Sequence, residues 1–206
     1  ASMRGRSHAN ENPGKPRDDD FKVTYSEKTG WYVMAVADGA GSAKFSRWGS
    51  KIAVDTSVNH CLDCLENTEE FEKYIAAFNE AKVNGEVDKE TELNKAIGQK
   101  LYSILCHAAH KSHKAIKEEC EARNVAIREK AAQLFEEQKA LNPNAVETKP
   151  VETQIKDYAT TLLLAICKKF EFGWFVATWW VGDGAIGLYK KGESVKIMGE
   201  PDEGEF

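Results

Sequence analysis

Asp38 stands where a carboxylate could do chemistry, at the end of the apolar run Trp31 to Ala37 and just before Gly39-Ala-Gly41. Trp174 to Val181 repeats the arrangement and ends in Gly182-Asp183-Gly184. A third acidic group, Asp18-Asp19-Asp20, directly precedes the short run Phe21 to Tyr25. A buried strand that runs into a glycine turn holds its last carboxylate at a sheet end. The neighbouring glycine can leave its carbonyl open to a ligand. Carboxylate and carbonyl oxygens are the donors that hard divalent cations take. Each group alone has a plain reading as a turn, since Asp-Gly is the commonest hairpin dipeptide. A helical pattern rather than a second strand follows Asp38, however, so a hairpin accounts poorly for it. The three together point to a metal centre assembled from strand ends.

Other constellations carry less. Gly39-Ala-Gly-Ser-Ala-Lys44 could cradle a phosphate, as in a nucleotide-binding protein. It lacks the glycine that a P-loop places before its lysine and the third glycine of a dinucleotide fingerprint. Cys61-Leu-Asp-Cys64 is half a zinc motif without a matching half. Cys106, His110 and His113 share a helical spacing, and buried or solvated helix faces explain them more simply. Trp174, Trp179 and Trp180 read as core.

The elements that must position these residues follow from hydrophobic period. Phe21 to Tyr25 alternates apolar and polar residues and pairs with Trp31 to Ala37 through the turn Ser26-Glu-Lys-Thr-Gly30. Ala1 to Arg6 reads as a further strand and His8 to Arg17 as loop. A helix begins near Ser46, its expected N-cap, with Val54, Val58, Cys61, Leu62 and Leu65 on one face. A charged helical insert covers about 68–150, with Leu93, Ile97, Leu101, Ile104 and Leu105 in one stripe. Arg128 to Lys139 is dense in charge and is expected to project as an arm. Tyr158 to Cys167, Gly173 to Val181, Ala185 to Lys190 and Ser194 to Met198 read as strands. Strands, then helices, then strands make an α+β protein whose sheets are covered by helices.

The chain has 206 residues, enough for one core and a single domain over 1–206. Its net charge of −5, from 28 basic and 33 acidic residues, argues against a general nucleic-acid binder. No apolar run has the length a membrane span needs. Five unevenly spread cysteines argue against a disulfide framework and for a reduced, cytoplasmic compartment.

Val36-Ala-Asp-Gly-Ala-Gly-Ser-Ala-Lys-Phe-Ser-Arg-Trp-Gly-Ser-Lys-Ile-Ala-Val54 resembles the central motif of the PPM-class, type 2C-like metal-dependent serine/threonine phosphatases, most of all their bacterial branch. Three further segments keep the family's order. Gly5-Arg-Ser-His8 with Gly14 to Phe21 resembles the opening motif. Asp157 to Ala165 resembles the strand before the second acidic site. Val181-Gly-Asp-Gly-Ala-Ile-Gly-Leu-Tyr189 resembles the Gly-Asp-Ser-Arg segment, with Gly184 in place of the serine.

The resemblance implies two stacked antiparallel β-sheets flanked by helices, an α-β-β-α sandwich. It implies Asp38 bridging two Mg²⁺ or Mn²⁺ ions, the Gly39 carbonyl as a further ligand, and Asp19, with Asp18 beside it, as the first acidic ligand. Asp183 matches the ligand of a third, accessory ion. His8 stands near the entering phosphate, and Arg6 or Arg17 takes the place of the family's phosphate-binding arginine. The implied reaction is hydrolysis of phosphoserine or phosphothreonine in a phosphorylated protein substrate, with a cognate kinase as a further partner. The rival is a non-catalytic phosphatase-like module that binds a phosphoprotein or a regulatory partner. The family's later metal aspartates would lie beyond Phe206, so the sequence reads as a C-terminally incomplete domain, expected to hold metal weakly and to be inactive alone. The distal stretch from Ala122 to Asn144 is expected to be dispensable for catalysis.

Overall fold

The structure is a computed structural model that describes residues 17–199. The strand expected at Ala1 to Arg6 lies outside the described residues, as do His8 and Arg6. Strand β1 (Asp20–Tyr25) and β2 (Trp31–Ala37) form the expected antiparallel hairpin. Its turn closes by the Ser26 N–H on the Trp31 carbonyl at 2.9 Å and the Gly30 N–H on the Ser26 carbonyl at 2.7 Å. Gly30 sits at φ 73°, the left-handed region that favours glycine. Strands β3 (Leu162–Phe170) and β4 (Gly173–Val181) extend the sheet in the order β1-β2-β3-β4, antiparallel throughout.

Period-two alternation gives this sheet two distinct faces. Trp31, Val33, Ala35 and Ala37 of β2, with Leu162, Leu164 and Ile166 of β3, are buried on one of them. Trp31 anchors the core: it stacks on Phe71 at 5.7 Å, and its indole N–H donates to Glu72 Oε1 at 3.0 Å. The opposite face carries Val23, Tyr25, Val36 and Trp174, all exposed. A second, two-stranded sheet, β5 (Ile186–Leu188) with β6 (Lys196–Gly199), lies against that face at Trp180. The arrangement is an α+β sandwich.

Helix α1 (Ser46–Cys64) covers the core face with the expected stripe, Val54, Val58, Cys61 and Leu65 being buried. Its cap differs from expectation. Phe45, not Ser46, takes the N-cap position, with no side-chain cap bond, and Ser46 is buried inside the first turn. Tertiary contacts replace the cap: the Phe45 ring packs on Tyr158 at 5.3 Å and its N–H donates to the Asp157 carbonyl at 2.7 Å.

Helices α2 (Glu69–Asn84) and α3 (Val87–Leu101) lead into a π-helical turn, Tyr102–Cys106, and then into the 35-residue α4 (His107–Leu141). The π-turn re-phases the apolar stripe so that Ile104 and Leu105 are both buried. Side chains of α1 meet the carbonyls of this turn: His60 Nε2 donates to Ser103 at 3.0 Å, and Cys61 Sγ to Ile104 at 3.6 Å.

Beyond Arg128, α4 is exposed except for the half-buried Ala131 and Phe135. The stretch Ala122 to Asn144 is not free along its length, however. Asn124 is buried and holds Thr153 by three bonds: its Nδ2 donates to the Thr153 carbonyl at 3.0 Å, and its Oδ1 accepts the Thr153 N–H at 2.8 Å and hydroxyl at 2.9 Å. Arg128 pairs with Glu152 at 2.9 Å. The expendable part therefore starts after Arg128. Asn124→Ala should cost about 2 kcal/mol by orphaning the Thr153 backbone, whereas replacing about 131–149 with a short linker should change stability by less than about 1 kcal/mol. Thermal unfolding of both variants checks the contrast.

The expected strand from Tyr158 is a 3₁₀ turn instead, Ile155–Tyr158, with β3 starting only at Leu162. Residues 159–161 serve a different purpose, described next.

Candidate metal centre

Strand register alone brings the acidic groups to one end of the sheet. Asp20 pairs with Ala37, so Asp19 and Asp38 are the next positions out on β1 and β2. Val36 pairs with Leu163 and Leu162 with Val181, so Thr161 and Gly182 continue the same line on β3 and β4, with Asp183 following. No side-chain chemistry is needed to gather them; the antiparallel hairpins do it.

The strap Ala159–Thr161 fixes the backbone at Asp38. The Asp38 N–H donates to Thr161 Oγ1 at 2.9 Å. Its carbonyl accepts the Thr161 N–H at 2.8 Å and the Thr160 hydroxyl at 2.9 Å. The Ala40 N–H donates to the Ala159 carbonyl at 2.9 Å. With its backbone held on both sides, Asp38 has little freedom beyond its own χ angles.

Gly39 is glycine because nothing larger fits. A Cβ there would stand 2.4 Å from the Asp18 carbonyl oxygen and 2.9 Å from Ser46 Cβ. Ser50 of α1 donates to that same Asp18 carbonyl at 2.6 Å. Helix α1 thus presses the Asp18-Asp19 segment down onto Gly39, beside Asp38. On the far side, Gly182 at φ 101° turns the chain so that Asp183 follows β4 into the site.

The electrostatic consequence is visible at Asp38. Its carboxyl is raised from the ordinary 3.8 to about 6. Partial burial is the largest cause, followed by the hydrogen bond to the Asp19 side chain and the negative charges of Asp19, Asp183 and Asp18. Asp38 and Asp183 line an open cleft of about 760 Å³, and Lys156 is part of the same lining.

The donor set suits a hard cation: carboxylates gathered at an open strand end, each still in reach of solvent. Among the described residues no group of three or more His, Cys, Asp or Glu forms a ready-made cage. Mg²⁺ does not need one, since it is commonly held by one or two carboxylates with water completing its shell. Asp38, Gly39, Asp18, Asp19 and Asp183 are brought together. Arg17 is directed elsewhere: it pairs with Asp20 at 3.0 Å and lies over the Phe21 ring at 5.5 Å.

A proton and a cation compete for Asp38. Without cation, the folded chain holds this proton more tightly than the unfolded chain does. The stability Asp38 contributes is therefore full below pH 3.8 and is lost as pH rises through about 6. Cation affinity runs the other way. It should climb roughly tenfold per pH unit below about 6 and level off above, as titration with Mn²⁺ at a series of pH values would read.

Among the described residues, the cysteine and histidine motifs do not come together as a group of three or more metal-ligating side chains. All five cysteines are free. Cys61 is buried and its thiol is pushed up to about 12 by that burial, so it stays protonated.

Sequence reasoning missed the strap. Thr160 and Thr161 were readable only as the start of a strand, yet their hydroxyls clamp Asp38. The available signal was a pair of hydroxyl residues at the mouth of an apolar run, one register step from the aspartate.

The family model described as Protein phosphatase 2C matches residues 4–206, so the chain belongs to the protein phosphatase 2C family. A comparison with curated proteins found no match.

Proposed function

We propose that the protein hydrolyses phosphoserine and phosphothreonine esters in proteins, using Mg²⁺ or Mn²⁺ held at the Asp38 strand end. The observation that carries this reading is the gathering of Asp19, Asp38 and Asp183 at one end of the sheet, where burial first and then these acidic neighbours raise Asp38 to about 6, in a chain of this family. Asp38, with Asp19 and the Gly39 carbonyl, would hold two ions, and Asp183 a third. When bound, the ions supply a nucleophilic water at neutral pH and offset charge on the phosphoryl oxygens.

The chain's own residues do the rest. The strap Ala159–Thr161 keeps Asp38 aimed into the cleft. The Asp18 carbonyl, held by the Ser50 hydroxyl and packed on Gly39, fixes the Asp18-Asp19 segment beside Asp38. Lys156, exposed at the rim, is placed to meet an anionic substrate. His8 and Arg6, matched by motif, are assigned to the incoming phosphate. The enzyme would act in the cytoplasm, as in the bacterial branch its motifs resemble, on proteins marked by a cognate kinase.

The test is phosphate release from a phosphothreonine peptide by the full-length protein. Release that needs Mn²⁺ or Mg²⁺ and stops with a chelator supports the reading. Tight peptide binding with no release would make the protein a phosphatase-like binding module.

A further inference from the structure

Behind the acidic cleft lies a second cavity, of about 490 Å³, between α4 and the β3–β4 end of the sheet. Its floor is apolar: Ala53, Ala109, Ile116, Leu162 and Trp179 line it. The polar groups at its floor already have partners inside the protein. Ser112 donates to the Ala53 and Ala108 carbonyls, each at 3.0 Å, and the Tyr158 hydroxyl accepts from Arg123 Nε at 2.8 Å. A water inside would find few bonds to make there. The rim is different. Tyr102, His110 and His113 stand at it, all exposed, and no carboxylate among the described residues lines the cavity.

Two further observations mark it as more than loose packing. One wall is the π-helical turn Tyr102–Cys106, a geometry that is rare and recurs at functional sites. The other wall is the back of the strap: Ala159 and Thr160, with Val181, line both this cavity and the acidic cleft. A ligand that fills the cavity would lie against the segment that clamps Asp38.

We propose that this cavity binds a small amphipathic acid, an aromatic or aliphatic body carrying one anionic group, and that its occupancy tunes the acidic cleft through the strap. The volume falls within the range of small-molecule sites, and the combination of apolar floor and few polar rim groups is theirs as well. Imidazoles and a phenol with no competing carboxylate select an anionic head over a cationic one. The binding half stands by itself; only the coupling half rests on the proposed function.

Anilinonaphthalene sulfonate, an aromatic body with one sulfonate, is the probe. The native protein should bind it saturably, one molecule per chain. Ala109→Trp, which fills the floor, should weaken that binding by about tenfold or more. His110→Ala with His113→Ala leaves the floor intact and should weaken it severalfold, and it keeps the test open if the tryptophan variant does not fold. Val23→Asp, on the exposed sheet face, should leave it unchanged. Unaltered probe affinity in folded Ala109→Trp and in the double histidine variant would overturn the site, as would loss of binding in Val23→Asp. Saturating probe should also shift the Mn²⁺ affinity of the cleft severalfold, and Mn²⁺ should shift probe affinity by the same factor. Confirmed cavity binding with no such reciprocal shift would overturn the coupling while leaving the site, and failure of Mn²⁺ to bind at all would count against the proposed function alone.

Discussion

Gly49→Ala is expected to destabilise the protein by about 2 kcal/mol, although alanine is the better helix former by up to about 1 kcal/mol. Gly49 lies in the first turns of α1, and a Cβ there would stand 2.0 Å from the Tyr158 carbonyl oxygen and 2.9 Å from its carbon. Both are backbone atoms and cannot rotate aside. Either α1 must back away from the sheet or the strap after Tyr158 must shift. The first loosens Ser50 from the Asp18 carbonyl, and the second loosens Thr160 and Thr161 from Asp38. Weakened cation binding should therefore accompany a fall in melting temperature of about 5 °C or more. Gly98→Ala in α3 is the control, since a Cβ there meets nothing within 4 Å. It should be neutral or stabilising by up to about 1 kcal/mol. Equal melting temperatures for the two variants would show that the close approach of α1 to Tyr158 does not matter.

Asp38→Asn should separate function from stability. The amide keeps the shape of the side chain but cannot serve as an anionic ligand. Losing several kcal/mol of stabilisation at the phosphoryl group corresponds to about a thousandfold in turnover. The same change relieves the repulsion that Asp19, Asp183 and Asp18 exert on Asp38. Without cation at neutral pH, the variant should melt no lower than the wild type and is expected to melt higher. A variant that turns over phosphopeptide at the wild-type rate would remove Asp38 from the mechanism. One that melts much lower would mean that Asp38 has a stabilising partner in the folded state.

How far the sequence revealed this site depended on the range of the interactions involved. The hairpin of β1 and β2 was legible because its signals are local: alternation in Phe21 to Tyr25, and a turn closed by glycine at 30. Once that hairpin is drawn, Asp19 necessarily lies beside Asp38, since a register with Asp20 opposite Ala37 allows nothing else. The stripe on α1 was legible for the same reason, through its spacing. The start of α1 was not, because Phe45 is fixed by Tyr158, more than a hundred residues away, and no capping side chain marks it. Tyr158 to Thr161 misled in another way. Tyr158, Thr160 and Leu162 alternate as a strand would, yet the backbone there forms a 3₁₀ turn and then spends its hydrogen bonds on Asp38 and Ala40. The arm of α4 was legible as charged but not as tethered, since the bonds from Asn124 to Thr153 join residues 29 apart along the chain.

The most direct test is a calorimetric Mn²⁺ titration of the full-length protein and of its Asp38→Asn variant at about pH 7, above the range where the proton competes. The account predicts Mn²⁺ uptake by the wild type, with at least one ion lost or its affinity greatly weakened in the variant. Equal stoichiometry and affinity in both would contradict it, because the cation would then be held somewhere other than the strand end that gathers Asp19, Asp38 and Asp183.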